Sequence, residues 1–238
     1  MKNIVSTLAL ILGVCVGNAF ASLISLGSVS LGGQGLGSVQ TVLTIQSPGS
    51  SSTETGCVAS GIGGVLVKGA AACPGGGPFG GPSFPGGNEQ AQNNTFSASS
   101  LGLTDFNNLR IIFNPSEPAN APSISLDNLA LTLWNPTTGL ILDAHYIAAP
   151  VLFASSDPGA GNAGFGFKLD AAEATVENGI LAAFPNLRIG LAADASLATG
   201  GLETFSIGAV SAVPEPGVFG LMLVGLVGLI GFRKQLSR

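Results

Sequence analysis

The sequence predicts an all-β fold: a mostly antiparallel, two-sheet β-sandwich with one short helix. Three observations predict it. About seven to nine runs of β-branched and apolar residues are separated by clusters of Gly, Pro, Asn, Ser and Asp, which is turn chemistry. Neighbouring runs are joined by short turns, so hairpins and antiparallel pairing dominate. Only the segment 170–184 combines a helix start signal with apolar residues at four-residue spacing.

The elements follow in chain order. Residues 22–38 alternate Ser, Gly and Leu, which suits an N-terminal strand or a loose lead-in. Val39 to Ser47 is a β-branched run closed by Pro48-Gly49 and predicts a strand. From about 48 to 100 the chain turns to Ser, Gly, Pro and Asn, including GGGPFGGPSFPGG at 75–87, and is expected to be a surface insertion. Phe79 and Phe84, the large apolar groups of that tract, are expected to tuck onto the domain.

Leu109 to Phe113 predicts a strand stopped by Asn114-Pro115. Ser123 to Trp134 alternates in two phases, Ile124 and Leu126, then Leu129, Leu131 and Leu133, so an extra residue is expected at Asp127-Asn128 as a β-bulge. The turn cluster Asn135 to Gly139 makes Ser123 to Ala148 a hairpin. Val151 to Ala154 and Gly164 to Leu169 are shorter strands. Asp170-Ala171-Ala172-Glu173 is a capping box, and Ala172, Val176, Ile180 and Phe184 are expected to form the buried helix face, ended by Pro185. Strands resume over Leu187 to Ala192 and Glu203 to Val210, with Phe205, Ile207 and Ala209 pointing inward.

At 238 residues the chain has room for one domain of ordinary size. Its 36 glycines would suit disorder, but 46% of residues are hydrophobic and fall in periodic runs able to bury a core. Met1-Lys2-Asn3, the apolar stretch from Ile4 to Val16, and Ala19 and Ala21 at the −3 and −1 positions form a secretory signal peptide over residues 1–21. Residues 22–212, the exported domain, carry four bases (Lys68, Arg110, Lys168, Arg188) and twelve acids, a net charge of −8. No basic footprint for nucleic acid exists, and anionic lipid would be repelled. Cys57 and Cys73 are the two cysteines left after signal removal, an even count that favours a disulfide worth about 3 kcal/mol in an exported chain.

Chemistry-bearing patterns are sparse. The single histidine, His145, lies in ordinary strand sequence (LDAHYIA), no GxSxG elbow occurs, and a solvent-facing strand histidine is expected. Asp105, Asp127, Asp143, Asp157 and Asp170 lie in turns or at element ends, and Glu173 and Glu177 one turn apart on the helix, where acids cap and solvate. No metal site or cofactor is expected. Structural calcium lacks a DxDxDG loop, and Asp157 with Asn162, or Asp127 with Asn128, is equally explained by turn formation. The reading is therefore a non-enzymatic domain.

The chain ends VPEPGVFGLMLVGLVGLIGFRKQLSR, residues 213–238. Residues 217–232 are uncharged and would make a helix of roughly 24 Å, marginal against a hydrocarbon core of about 30 Å. Gly225, Gly228 and Gly231 give it a smooth face suited to temporary membrane residence. The basic tail 233–238, with Arg233, Lys234 and Arg238, would stay cytoplasmic. Val213-Pro214-Glu215-Pro216, the apolar helix and the basic end together resemble the PEP-CTERM sorting signal. That resemblance covers about 26 residues. It implies a Gram-negative source, an exosortase partner that recognises Pro214 to Pro216 and cuts nearby, delivery to the cell surface or medium, and association with exopolysaccharide in a biofilm matrix. An alternative of the same fold is a glycan-binding or adhesive module, in which the Gly75 to Gly87 loop and the Trp134 to Tyr146 hairpin make the contact.

Overall fold

A computed structural model describes residues 22–30, 39–47, 51–74, 81–115, 123–154, 163–199 and 201–210. The expected signal peptide with Ala19 and Ala21, Phe79, the motif Val213 to Pro216, the 217–232 helix and the tail with Arg233, Lys234 and Arg238 lie outside the described residues. Among those described, no helix is long and apolar enough to cross a membrane.

The elements are β1 (Leu23–Ser30), β2 (Gln40–Ile45), β3 (Thr53–Ser60), β4 (Leu66–Lys68), β5 (Phe96–Ser97), β6 (Leu109–Asn114), β7 (Ser123–Trp134), β8 (Ile141–Tyr146), β9 (Val151–Ala154), β10 (Ala163–Leu169), α1 (Ala171–Ala183), β11 (Arg188–Ser196) and β12 (Glu203–Ala209). They form two antiparallel sheets and one α-helix. One sheet runs β1-β10-β6-β12-β2; the other runs β4-β3-β11-β7-β8, with β5 pairing on β11 and β9 on β7.

Alternation along the strands builds the main core from both sheets. Leu129, Leu131 and Leu133 of β7 lie beside Ala193, Leu191 and Ile189 of β11, all fully buried. They join Val42, Leu43, Ile111, Phe167, Phe205 and Ile207 of the other sheet in one cluster. Phe113 stacks on Phe205 at 4.7 Å within its own sheet and meets Phe153 of the other at 5.3 Å. The expected bulge in β7 is present: Asp194 pairs with Asn128 and Ala195 with Leu126, leaving Asp127 as the extra residue. This keeps both Leu126 and Leu129 buried despite their odd spacing.

The segment expected to be a surface insertion is corrected in part. Inside it, β3 lies between β4 and β11, with Cys57 and Val58 fully buried. Val58 faces the main core, whereas Cys57 and Ala59 face a second, smaller core with Ala130, Ala144, Tyr146 and Ala192. Ala72, Cys73 and Phe84 cover that outer face. Cys57 and Cys73 are bonded, with their Cα atoms 5.0 Å apart. Phe84 stacks against Tyr146 at 6.5 Å, and Gly81 lies flat on the same ring. A Cβ on Gly81 would sit 2.4 Å from the tyrosine, and its φ of +88° is one that side chains disfavour.

Candidate functional site

The chemistry concentrates where α1 meets β8. On β8, Asp143 and His145 are two residues apart and share a face. His145 is paired across the ladder with Leu131 of the main core, and it is buried, not solvent-facing as its sequence suggested. Its strand has no polar-apolar alternation to reveal the inward face, because Ala144 and Tyr146 on the other side are covered as well.

Helix α1 begins at Asp170, whose Oδ1 accepts hydrogen bonds from the Ala172 and Glu173 amides at 2.8 and 2.9 Å. The Asp170 N–H donates to the Ser22 carbonyl, so the outer half of the expected capping box is taken by a distant residue. Two turns on, the buried positions are Ala174 and Glu177; Val176 is 55% exposed and Phe184 also reaches solvent. The helix face expected from the apolar stripe is therefore corrected. An acid occupies the inner face because a partner awaits it there.

That partner is His145. Its Nε2 lies 2.7 Å from Glu177 Oε1, and its Nδ1 lies 2.9 Å from Ser22 Oγ. The Ser22 N–H donates to the Tyr146 carbonyl at 3.1 Å. Ser22, His145 and Glu177 thus link β1, β8 and α1, and none is more than 3% exposed. Sequence reasoning missed both Ser22 and Glu177: they are 123 and 32 residues from His145, and no local spacing connects them.

Burial opposes charge on His145, but hydrogen bonding and attraction from Glu177, helped by Asp143 and Glu173, raise its pKa overall. Burial raises the Glu177 pKa, His145 counteracts this, and Asp143 adds to it. Both shifts have one meaning: the cluster holds a proton more tightly than the separate groups would. Asp143, His145 and Glu177 also bring one ligand atom each within 4.8 Å of one another, close enough to hold a metal ion.

The order hydroxyl, imidazole, carboxylate is that of a nucleophilic relay. A reacting carbonyl would have to meet Ser22 Oγ, however, and Ser22 is 1% exposed. In this conformation the relay fastens elements together and does not face a substrate. A groove of about 420 Å³ between α1 and the 99–104 turn, lined by Leu103, Thr104, Asn178 and Leu181 among others, has no titratable side chain in its lining.

Other sequence candidates separate. Asn128 donates to Asp194 at 3.3 Å and Ser125 donates to Asp127 at 2.6 Å, so these groups satisfy one another around the bulge. Tyr146 is buried under Phe84 and Gly81, and Trp134 donates to Thr132 at 2.8 Å. The Trp134 to Tyr146 hairpin thus lacks the pair of open rings that sugar stacking would use. No family model, curated protein or solved structure matches the chain.

Proposed function

We propose that this chain is an exported, non-enzymatic cell-surface or extracellular-matrix protein, a β-sandwich cargo sorted and processed by an exosortase and associated with exopolysaccharide. The observation that carries the reading is the C-terminal order of VPEP, an uncharged apolar stretch and a basic end, matched by a leader-like sequence at the other terminus. Three features of the fold support it. Ser22, the residue after the expected signal cleavage, is already buried and bonded to Tyr146 and Asp170, so the domain takes in the chain directly behind the leader. The Cys57–Cys73 bond suits an oxidising destination. The one hydroxyl–imidazole–carboxylate relay among the described residues is enclosed.

Residues 217–232 hold the precursor in the inner membrane, Arg233, Lys234 and Arg238 stay on the cytoplasmic side, and cleavage near Val213 to Pro216 releases the domain. The test is to replace Pro214, Glu215 and Pro216 by alanine in the native host and fractionate the cells. The variant is expected to accumulate in the inner membrane while the wild type reaches the surface or medium. Equal distribution of the two forms would contradict the reading.

A further inference from the structure

We infer that Asp143, His145 and Glu177 form a binding site for one divalent transition-metal ion, with zinc the best fit, that clamps α1 to the edge strand β8. The donor set is one imidazole nitrogen and two carboxylates, a combination used by zinc and its neighbours. Three observations carry the assignment.

The first is proximity: the three ligand atoms lie within 4.8 Å of one another. His145 Nε2 and Glu177 Oε1 are 2.7 Å apart, whereas two ligands on a tetrahedral ion with bonds of about 2.0 Å stand about 3.3 Å apart. A small opening of the pair admits the ion between them. The second is an orphan. Glu177 is fully buried, its Oε2 meets no N–H or O–H donor, and the group beside its carboxyl is another acid, Asp143, a costly state for a carboxylate oxygen. Metal coordination satisfies it. The third is charge. The ionisable groups acting on His145 are Glu177, Asp143 and Glu173, and none acting on either His145 or Glu177 is a lysine or arginine. Three carboxyl groups and no cationic side chain beyond the imidazole thus surround the position, which favours a cation there.

Ser22 completes the site as a positioning residue. A ligating histidine presents one nitrogen to the metal and fixes its ring through the other. With the ion bound, Nδ1–H would donate to Ser22 Oγ and Nε2 would exchange its hydrogen bond to Glu177 for the metal. Asp143 is only half-buried and gives the ion its way in.

The test uses the full chain without a histidine tag, treated with a chelator and titrated with Zn²⁺. Because the chain has one histidine, its ring-nitrogen NMR signals report on His145 alone. One Zn²⁺ per chain is expected, with Nε2 moving to a metal-bound shift while Nδ1 remains protonated. Asp143→Asn, a half-buried position that should leave the fold intact by circular dichroism, is expected to weaken binding by about 100-fold, and Ser22→Ala by about 10-fold. Absence of saturable binding at micromolar Zn²⁺, unchanged His145 ring signals, or wild-type affinity in a folded Asp143→Asn protein would each overturn the site. The cluster would then be a proton-sharing pin only.

Discussion

His145 Nε2 and Glu177 Oε1 stand 2.7 Å apart with both residues buried, and this contact ties the helix to the edge of the seven-stranded sheet. Removing one partner strands the other in a poorly solvated site. Glu177→Ala is expected to cost about 3–5 kcal/mol, measured by urea unfolding in the presence of a chelator. Glu177→Gln, which keeps a hydrogen bond, should cost about 1–3 kcal/mol. The double variant His145→Leu/Glu177→Leu should recover most of the loss, because it leaves no buried charge unpaired and only the neutral Ser22 hydroxyl without its partner. Losses that simply add would show that the two residues are not coupled.

Ser22 makes a side-chain bond to His145, but its backbone makes two more, to Tyr146 and from Asp170. Ser22→Ala is therefore expected to cost only about 1 kcal/mol in the same unfolding measurement. A much larger loss would mean that the hydroxyl, and not the backbone, anchors the start of β1.

The Cys57–Cys73 bond fastens the covering segment over Cys57, Ala130 and Tyr146. Cys73→Ser is expected to lower stability by about 3 kcal/mol. It should also raise the solvent accessibility of Tyr146, the sole tyrosine, seen in its ultraviolet absorbance. No change in either quantity would show that the cover holds without the bond.

Gly81 meets the tyrosine ring where no side chain fits. Gly81→Ala introduces a clash and an unfavourable φ together, a combined cost of about 2–4 kcal/mol. The alternative outcome, a stable variant with an unperturbed tyrosine spectrum, would mean the segment packs differently.

Asp194 supplies a pH dependence away from the His145–Glu177 cluster. Burial raises its pKa above 3.8, hydrogen bonds from Thr55 and Asn128 work against this, and Asp127 adds to it. The folded state therefore holds this proton more tightly than the unfolded chain. The stability it contributes is full below 3.8 and is lost as pH rises through the folded value. Asp194→Asn cannot titrate, so the wild type should lose stability relative to it as pH climbs through that window. A difference that is constant with pH in denaturant titrations would contradict the sign.

Where residue order alone carries the signal, the sequence was legible. The two-phase alternation of β7 marked the bulge at Asp127, Phe205 and Ile207 marked the inner face of β12, and Asp170 marked the helix start. β3 was not legible because its outward face is lined by Cys57 and Ala59 and covered by Ala72, Cys73 and Phe84, so no polar-apolar contrast survives. The helix face was misread for an electrostatic reason: hydrophobic patterning places an acid outside, and Glu177 is inside because His145 meets it. Asp143 and His145 two apart on one strand were the only local hint of the cluster. Its other members come from opposite ends of the domain, and only the topology joins them.

Mass spectrometry of both chain ends, on protein recovered from the surface or medium of the native host, tests the central claim most directly. The expected species begins at Ser22 and ends near Val213 to Pro216, without Arg233, Lys234 or Arg238. A surface species that retains Arg238 would contradict it.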